Sequence, residues 1–208
     1  MKRRDFLKYS LNVLIALNFG CSLKGLVGEG EKVALIYGTK YGSTRDTAAW
    51  IQEGLEGNAA LMNVEEMDFG ETVSRYDSFI AGSGVWIDGI HKKLKEFLKS
   101  HSTQLQERVL GSFVVCGSQD TTEGGRKRIG GYLRQISSPL GYQPAAKRFF
   151  GGRIIVEQLT DSDREALETF YSKFLNQELH SWDRTDKYKA VKYGKELEQV
   201  IEKYSVRT

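Results

Sequence analysis

The chain has 208 residues, of which 40% are hydrophobic and 27% charged, and this composition fits one globular α/β domain with accessory segments. Its formal net charge of +3 arises within residues 1–20, where four basic residues stand against one acidic residue, so the remainder is neutral. A basic nucleic-acid-binding face is therefore not expected. Two cysteines and three histidines, dispersed along the chain, provide neither a disulfide framework nor the ligand spacing of a metal site.

Residues 1–30 have the pattern of an export signal and linker. An apolar run over 11–19 follows a basic start and is shorter than a membrane span requires. The segment 3–8, Arg-Arg-Asp-Phe-Leu-Lys, resembles the twin-arginine translocation motif, which a receptor reads. This resemblance implies export of a folded protein to the periplasm or the outer face of the cytoplasmic membrane. An uncleaved N-terminal anchor is the alternative, and Gly20-Cys21 resembles the end of a lipobox, which leaves lipid attachment at Cys21 open.

From residue 31 onward, short apolar runs alternate with helical patterns, as in a parallel sheet covered by helices on both faces. We predict strands at 32–37, 61–67, 78–81, 109–116 and 153–157, with helices at 44–55, 91–99 and 126–138. The first and fourth strands are continuously apolar, which indicates burial on both faces.

The end of the chain carries two further helical patterns, at 161–179 and 190–204. One of them closes the fold and the other is an addition. The first is predicted as an amphipathic helix with Leu167, Phe170, Tyr171, Phe174 and Leu175 on one side.

A turn from Gly38 to Thr44, directly after the first predicted strand, carries the strongest functional signal. Glycine and hydroxyl side chains at a helix N-terminus favour an anion, because backbone N–H groups point outward and the helix dipole is positive there. The turn has neither a P-loop nor a dinucleotide motif, so we predict a monophosphate held by neutral donors. An ordinary capped turn is the alternative. The predicted binding residues are Thr39, Lys40, Tyr41, Gly42, Ser43 and Thr44.

The pattern Thr39-x-x-Gly42-x-Thr44 resembles the FMN phosphate loop of flavodoxins, Thr/Ser-x-Thr-Gly-x-Thr, from which Tyr41 departs at the third position. The resemblance implies a flavodoxin-like α/β fold over 31–208, with a five-stranded parallel sheet, helices on both faces and an extra C-terminal helix. It also implies FMN as the cofactor and electron transfer as the function.

Two loops lie where that fold places the flavin ring. The predicted ring contacts are Ser83, Gly84, Val85 and Trp86 in the first loop, with Gly117, Ser118 and Gln119 opposite in the second. Trp86 is expected either to stack on the ring or to cover the sheet edge, and the second loop has no aromatic residue. No catalytic residue is assigned, and His91 and His101 are expected to be solvated on helix surfaces.

Segments 76–84, 91–97 and 150–153 are similar to flavodoxin-like, menaquinone-dependent protoporphyrinogen oxidases. That similarity implies a helical insertion at 161–186, whereas the export signal departs from the family. Three functions stay open: an FMN electron carrier with a redox partner protein, an FMN oxidoreductase acting on a quinone or porphyrinogen, and a binding module without flavin. Helix 161–179 would serve the oxidoreductase as a lid or membrane contact. The basic segment 126–128 after the second loop favours a stabilised anionic reduced flavin.

Overall fold

The computed structural model of the protein describes residues 32–87 and 89–206. The predicted export signal, the linker and lipid attachment at Cys21 lie outside these residues. Within the described part, no helix has both the length and the apolar character that crossing a membrane requires.

A parallel sheet of five strands forms the centre of the described chain. Its members are β1 Val33–Gly38, β2 Ala59–Asn63 and β3 Ser78–Trp86, then, after the short β4 Gly89–Ile90, β5 Val109–Cys116 and β6 Ala146–Gly151. They pair in the order β2-β1-β3-β5-β6, and β4 turns back to pair antiparallel with the end of β3. Because the strand order reverses beside β1, the crevice between β1 and β3 opens at the carboxyl ends of these strands, where such sheets bind ligands.

Helices cover both faces of this sheet, which confirms the predicted fold class. They are α1 Ser43–Gly54, α2 Phe69–Arg75, α3 Lys92–Ser100, α4 Glu123–Ser137, α5 Asp161–Phe170 and α6 Lys187–Ser205. α1 and α6 bury their apolar residues with one face of the sheet, whereas α2, α3 and α4 contribute to the core on the other face. α6 closes the fold, and α5 belongs to the insertion before it.

The position of α1 is fixed by its contact with α6. A Cβ atom on Gly54 would lie 2.2 Å from the carbonyl oxygen of Val191, and one on Gly194 would lie 2.2 Å from that of Ile51. The two helices therefore cross with their backbones in contact, which requires glycine on both sides. This packing holds the last turn of α1 against α6.

β1 and β5 follow the sequence prediction and β3 begins where predicted, but the two edge strands do not. The second strand is Ala59–Asn63 instead of 61–67, and the last parallel strand is Ala146–Gly151 instead of 153–157. Each edge strand has one neighbour and is only partly buried. β6 accordingly lacks a continuous apolar run, whereas β2 begins with the apolar residues 59–62, two residues before the predicted start. Helix α2, which was not predicted, is a short element that buries only Thr72 and Val73.

Residues Arg153–Ile154, at the start of the fifth predicted strand, form β7 instead, which pairs antiparallel with β8, Trp182–Asp183. β7, α5 and β8 therefore belong to one inserted segment between β6 and α6. The two-stranded ribbon closes the base of this segment, which is called the insertion below and spans residues 153–186.

The predicted amphipathic helix over 161–179 is shorter than expected. α5 ends at Phe170, and a π-helical turn over Tyr171–Leu175 ends at Asn176, whose φ is 51°. Leu167 and Tyr171 are buried as predicted, but Phe174 is 74% exposed and Leu175 is 44% exposed. A π-turn holds more residues than an α-turn, which moves these two side chains off the buried face.

Candidate functional site

The N-terminus of α1 offers unpaired backbone donors. Its N-cap, Gly42, has a φ of 87° and no side chain to cap the helix. The first helical hydrogen bond runs from the amide of Asp46 to the carbonyl of Gly42 at 3.0 Å, so the preceding amides of Ser43, Thr44 and Arg45 have no intrahelical acceptor. The hydroxyl of Thr39 accepts from the amide of Gly42 at 3.1 Å and fixes the turn. This arrangement fits a phosphate.

Asp46, in the first turn of α1, forms an ion pair with Arg153 of the insertion. Arg153 donates from Nη2 to Oδ2 of Asp46 at 2.7 Å, and its Nη1 lies 3.6 Å from a carboxylate oxygen of Asp183 in β8. The hydrogen bond with Asp46 is the main cause that raises the pKa of the Arg153 guanidinium, which stays charged. The carboxylate beside the helix N-terminus is therefore paired and does not oppose an anion there.

The first predicted flavin loop is a hairpin. β3 continues through Trp86 instead of ending at 81, and Trp86 pairs with Gly89 of β4. Ser83 is fully buried, with its hydroxyl donating to the carbonyl of Gly84 at 2.8 Å and accepting from the amide of His91 at 2.8 Å. The side chain of Ser83 therefore holds the hairpin, while Gly84, Val85 and Trp86 are partly exposed at the carboxyl end of β3.

Trp86 packs against the turn before α1. Its ring centroid lies 5.6 Å from that of Tyr41, and Nζ of Lys40 lies 4.5 Å from the Trp86 ring. The second distance is typical of a cation–π contact. Of the predicted binding residues, Lys40 and Tyr41 thus contact Trp86 across the crevice.

The second predicted loop is surrounded by arginine side chains. Arg126 Nη1 donates to the carbonyl of Asp120 at 2.7 Å, and Arg128 Nε donates to the hydroxyl of Ser118 at 3.4 Å. From the other side, Arg184 Nη1 donates to the carbonyl of Gly117 at 3.1 Å. The three guanidinium groups place positive charge along this loop, which supports a nearby anion.

The start of α4 holds the second loop in place. A Cβ atom on Gly125 would lie 1.8 Å from the carbonyl oxygen of Gln119, so the loop and the helix touch through backbone atoms. Cys116, at the end of β5, is buried, and burial raises the pKa of its thiol. Cys116 is therefore a neutral packing residue and not a thiolate.

The insertion contacts both the turn from Gly38 to Thr44, which is called the phosphate turn below, and the second predicted flavin loop. Asp163 in α5 accepts from Nζ of Lys40 at 2.6 Å and from the hydroxyl of Tyr41. At the other end, a Cβ atom on Gly117 would lie 3.3 Å from the ring of Trp182 in β8, and Trp182 donates from Nε1 to the hydroxyl of Tyr171 at 2.6 Å. Sequence reasoning missed Asp163 and Trp182, because nothing in the local pattern of the insertion indicates either contact.

The two histidines that were predicted to be solvated differ from that prediction. His101 is partly buried and packs against the rings of Phe69 and Phe97. The side chain of His91 is 18% exposed, its Nδ1 is buried without a hydrogen-bond partner in the described chain, and its Nε2 lies 3.4 Å from Glu65. Its ring packs on Gly38, where a Cβ atom would lie 2.5 Å from it. Burial lowers the pKa of His91, although Glu65 opposes the shift. His91 is thus not a solvated surface residue, because it precedes α3 and packs against Gly38 at the end of β1.

Little space remains between Trp86 and the base of the insertion. A cavity of about 10 Å³ lies there, lined by Tyr41, Trp86, Arg153, Ile154, Ile155, Gln158 and Leu159. This is room for about one water molecule. The base of the insertion therefore covers this side of Trp86.

Together the parallel sheet and the reversal of strand order define a doubly wound α/β protein, and the N-terminus of α1 at its switch point offers backbone donors that fit an anion. The family model for the flavodoxin domain matches residues 34–178. The chain therefore belongs to the flavodoxin-domain family. No curated protein matches the chain.

A solved structure with a TM-score above 0.5 agrees with this fold, and two further structures are similar to a lesser degree. The flavodiiron core of Flv1 from Synechocystis sp. PCC6803 has a TM-score of 0.53 at 16% identity, and the match covers 85% of this chain and 37% of that one. This chain thus spans little more than a third of the flavodiiron structure. The WrbA-like flavodoxin from Agrobacterium tumefaciens has a TM-score of 0.48 at 18% identity, with 84% and 99% covered. Flavodoxin 2 from Bacillus cereus has a TM-score of 0.48 at 14% identity, with 83% and 99% covered.

Proposed function

We propose that the protein binds FMN at the carboxyl ends of β1, β3 and β5 and acts in electron transfer. The observation that carries this proposal is the uncapped N-terminus of α1, whose free amides and hydroxyl groups form an anion cradle in a chain of the flavodoxin-domain family. When bound, FMN would supply reversible acceptance of one or two electrons. The chain itself supplies binding, orientation and electrostatics.

Three groups of residues would hold the cofactor. Ser43 and Thr44 would bind the phosphate through their amides and hydroxyls, on a turn that Thr39 and Gly42 shape. Trp86 with its neighbours Gly84 and Val85 would contact the ring. The backbone of Gly117, Ser118 and Gln119 would face it from the second loop, in the positive field of Arg126, Arg128 and Arg184.

A second candidate function is a quinone-linked or protoporphyrinogen oxidase-like FMN oxidoreductase. It is favoured by the arginine side chains on the second loop, because positive charge stabilises an anionic reduced flavin and so supports two-electron exchange with an organic molecule. Its test is turnover of purified FMN-loaded protein with a soluble quinone. Electron transfer to a protein acceptor without quinone turnover would favour the carrier.

We also propose that the protein is exported by the twin-arginine pathway. The support is the sequence Arg-Arg-Asp-Phe-Leu-Lys at 3–8 together with a noncovalent cofactor, which a pathway for folded proteins can carry. Contact with the membrane would come from a lipid at Cys21 or from the insertion.

The FMN proposal is tested by titrating the full-length protein with FMN and with FAD and following flavin fluorescence. FMN should bind more tightly, because the turn offers one phosphate cradle and no second glycine-rich site. Thr44→Val should weaken FMN binding by about 1–3 kcal/mol through loss of a charge-assisted hydrogen bond.

Thr47→Val is the matched control for that variant. Thr47 is as buried as Thr44 and lies in the same helix, but its hydroxyl donates to the carbonyl of Ser43 at 2.9 Å. Its replacement should leave FMN affinity nearly unchanged. A wild-type protein that binds no flavin would contradict the proposal and favour a binding module without cofactor.

A further inference from the structure

One carboxylate in the insertion contacts the phosphate turn. Asp163 lies in the first turn of α5, its side chain is 12% exposed, and its Oδ1 accepts from Nζ of Lys40 at 2.6 Å. Its Oδ2 accepts from the hydroxyl of Tyr41, and the same hydroxyl accepts from the amide of Thr160 at 3.3 Å. The start of α5 is therefore joined to the turn before α1.

Both partners of Asp163 also contact Trp86. Nζ of Lys40 lies 4.5 Å from the Trp86 ring, and the ring of Tyr41 lies 5.6 Å from it at an angle of 42°. The chain of contacts thus runs from Asp163 through Lys40 and Tyr41 to the aromatic residue of the first loop. Movement of Asp163 would release both side chains that hold Trp86.

The residue types at these positions suit the contact. Tyr41 stands where the flavodoxin phosphate pattern has threonine, and its longer side chain reaches α5 instead of a phosphate. Asp163 balances the charge of Lys40 and holds its ammonium group beside the Trp86 ring. Two hydrogen bonds to one largely buried carboxylate fix a geometry more strongly than a single exposed ion pair.

We propose that Asp163 is a positioning residue for the FMN site, which holds Lys40, Tyr41 and through them Trp86 in the arrangement that binds the cofactor. This inference rests on the proposed FMN function. Ordering these groups before binding removes part of the entropy cost of binding. Because coupling between two equilibria is reciprocal, bound FMN stabilises the docked insertion by the same factor by which docking raises FMN affinity.

The experiment compares Asp163→Asn with Asp161→Asn in the full-length protein. Each variant removes one negative charge from the same turn of α5, and Asp161 is exposed. FMN affinity is measured by fluorescence titration. Asp163→Asn should weaken FMN binding about tenfold, as expected for a lost charge-assisted contact, whereas Asp161→Asn should stay within about twofold of wild type.

A second measurement follows the insertion directly. Amide hydrogen exchange over 161–175 should be faster in Asp163→Asn than in Asp161→Asn without FMN, and FMN should slow it in wild type by a factor that matches the affinity change. Asp163→Glu, which keeps the carboxylate, should restore part of both effects. A residue that only stabilises α5 would alter exchange without this reciprocal response to FMN.

The outcomes separate the two proposals. Equal or tighter FMN binding in Asp163→Asn, with wild type and Asp161→Asn binding normally, would overturn the positioning role and leave the FMN function intact. If wild type binds no FMN, the proposed function fails and the positioning role fails with it. Exchange in the flavin-free variants would then show whether the Asp163 contact holds the insertion at all.

Discussion

A methyl group on Gly84 would lie 2.7 Å from the hydroxyl oxygen of Thr44. The end of β3 and the first turn of α1 therefore meet with no room for a side chain between them. Thr44 is 1% exposed and branched at Cβ, so its rotamer cannot change freely to make space. The first loop and the phosphate turn thus form one rigid unit.

Gly84→Ala is expected to disturb both stability and FMN binding. Forcing a methyl group into this contact should lower the free energy of unfolding by about 1–3 kcal/mol, as overpacking does. FMN affinity should fall about tenfold, because Thr44 is displaced from the phosphate cradle and loses a charge-assisted hydrogen bond. Denaturant unfolding and flavin titration measure the two effects.

Gly70→Ala is the control for this substitution. Gly70 is exposed in α2, and a Cβ atom there would lie 3.6 Å from Oδ1 of Asp68, an ordinary contact. Alanine should leave FMN binding unchanged and keep or raise stability, because it is the better helix former. Equal FMN affinity in wild type and Gly84→Ala would show that the close contact is not part of the site.

The environment of His91 predicts a pH dependence of stability. Burial lowers the pKa of His91, although Glu65 opposes the shift and Lys93 adds to it. As pH falls below about 6.5, the usual histidine pKa, the unfolded chain takes up a proton more readily than the folded protein. The free energy of unfolding should therefore fall from neutral pH until the lowered pKa has been passed.

Denaturant unfolding between neutral and mildly acidic pH tests this expectation. His91→Gln should remove this part of the pH dependence. Glu65→Gln should enlarge it, because loss of the carboxylate lowers the pKa of His91 further. Identical pH profiles for wild type and His91→Gln would contradict the assignment.

The sequence predicts correctly those strands and turns whose structure is determined by residues that are neighbours in the chain. β1 and β5 are buried on both faces and therefore carry continuous apolar runs, and the turn from Gly38 to Thr44 has its glycine and hydroxyl groups within seven residues. β6 was not predicted, because it is an edge strand whose exposed Lys147 and Arg148 interrupt the apolar pattern of its sequence.

Contacts between the insertion and the rest of the fold depend on tertiary structure, so no pattern in the neighbouring sequence indicates them. Asp163 meets Lys40 and Tyr41 across more than 120 residues, and Trp182 reaches Gly117 across 65. The insertion itself could be predicted as surplus length, but its break at Phe170 could not, because the apolar spacing continues through the π-turn. Position in the fold, and not residue pattern, gives these side chains their role.

Replacing Arg3 and Arg4 with lysine should keep the protein in the cytoplasm, because the pathway reads the arginine pair through a receptor and charge alone does not substitute for it. Fractionation and immunoblotting of the producing cells measure this. Cys21→Ala separately tests the lipid anchor: a processed variant that still sediments with membranes would contradict lipidation. Normal export of the double lysine variant would show that another pathway carries the protein.

The arginine side chains on the second loop predict the redox behaviour of bound FMN. Arg126 and Arg128 hydrogen-bond to Asp120 and Ser118, so both lie on the loop side of α4. Positive charge there favours the anionic fully reduced flavin and raises the potential for the second electron. Arg126→Gln with Arg128→Gln should lower that potential by about 20–60 mV, since a tenfold change in relative stability corresponds to about 59 mV for one electron and salt screens exposed charges. Lys127→Gln removes the same type of charge from the intervening position on α4 and should leave the potential nearly unchanged.

Stepwise photoreduction of the loaded protein measures both one-electron potentials. A second potential that is very low in wild type, or equal in all three proteins, would show that these arginines do not act on the flavin and would favour a one-electron carrier.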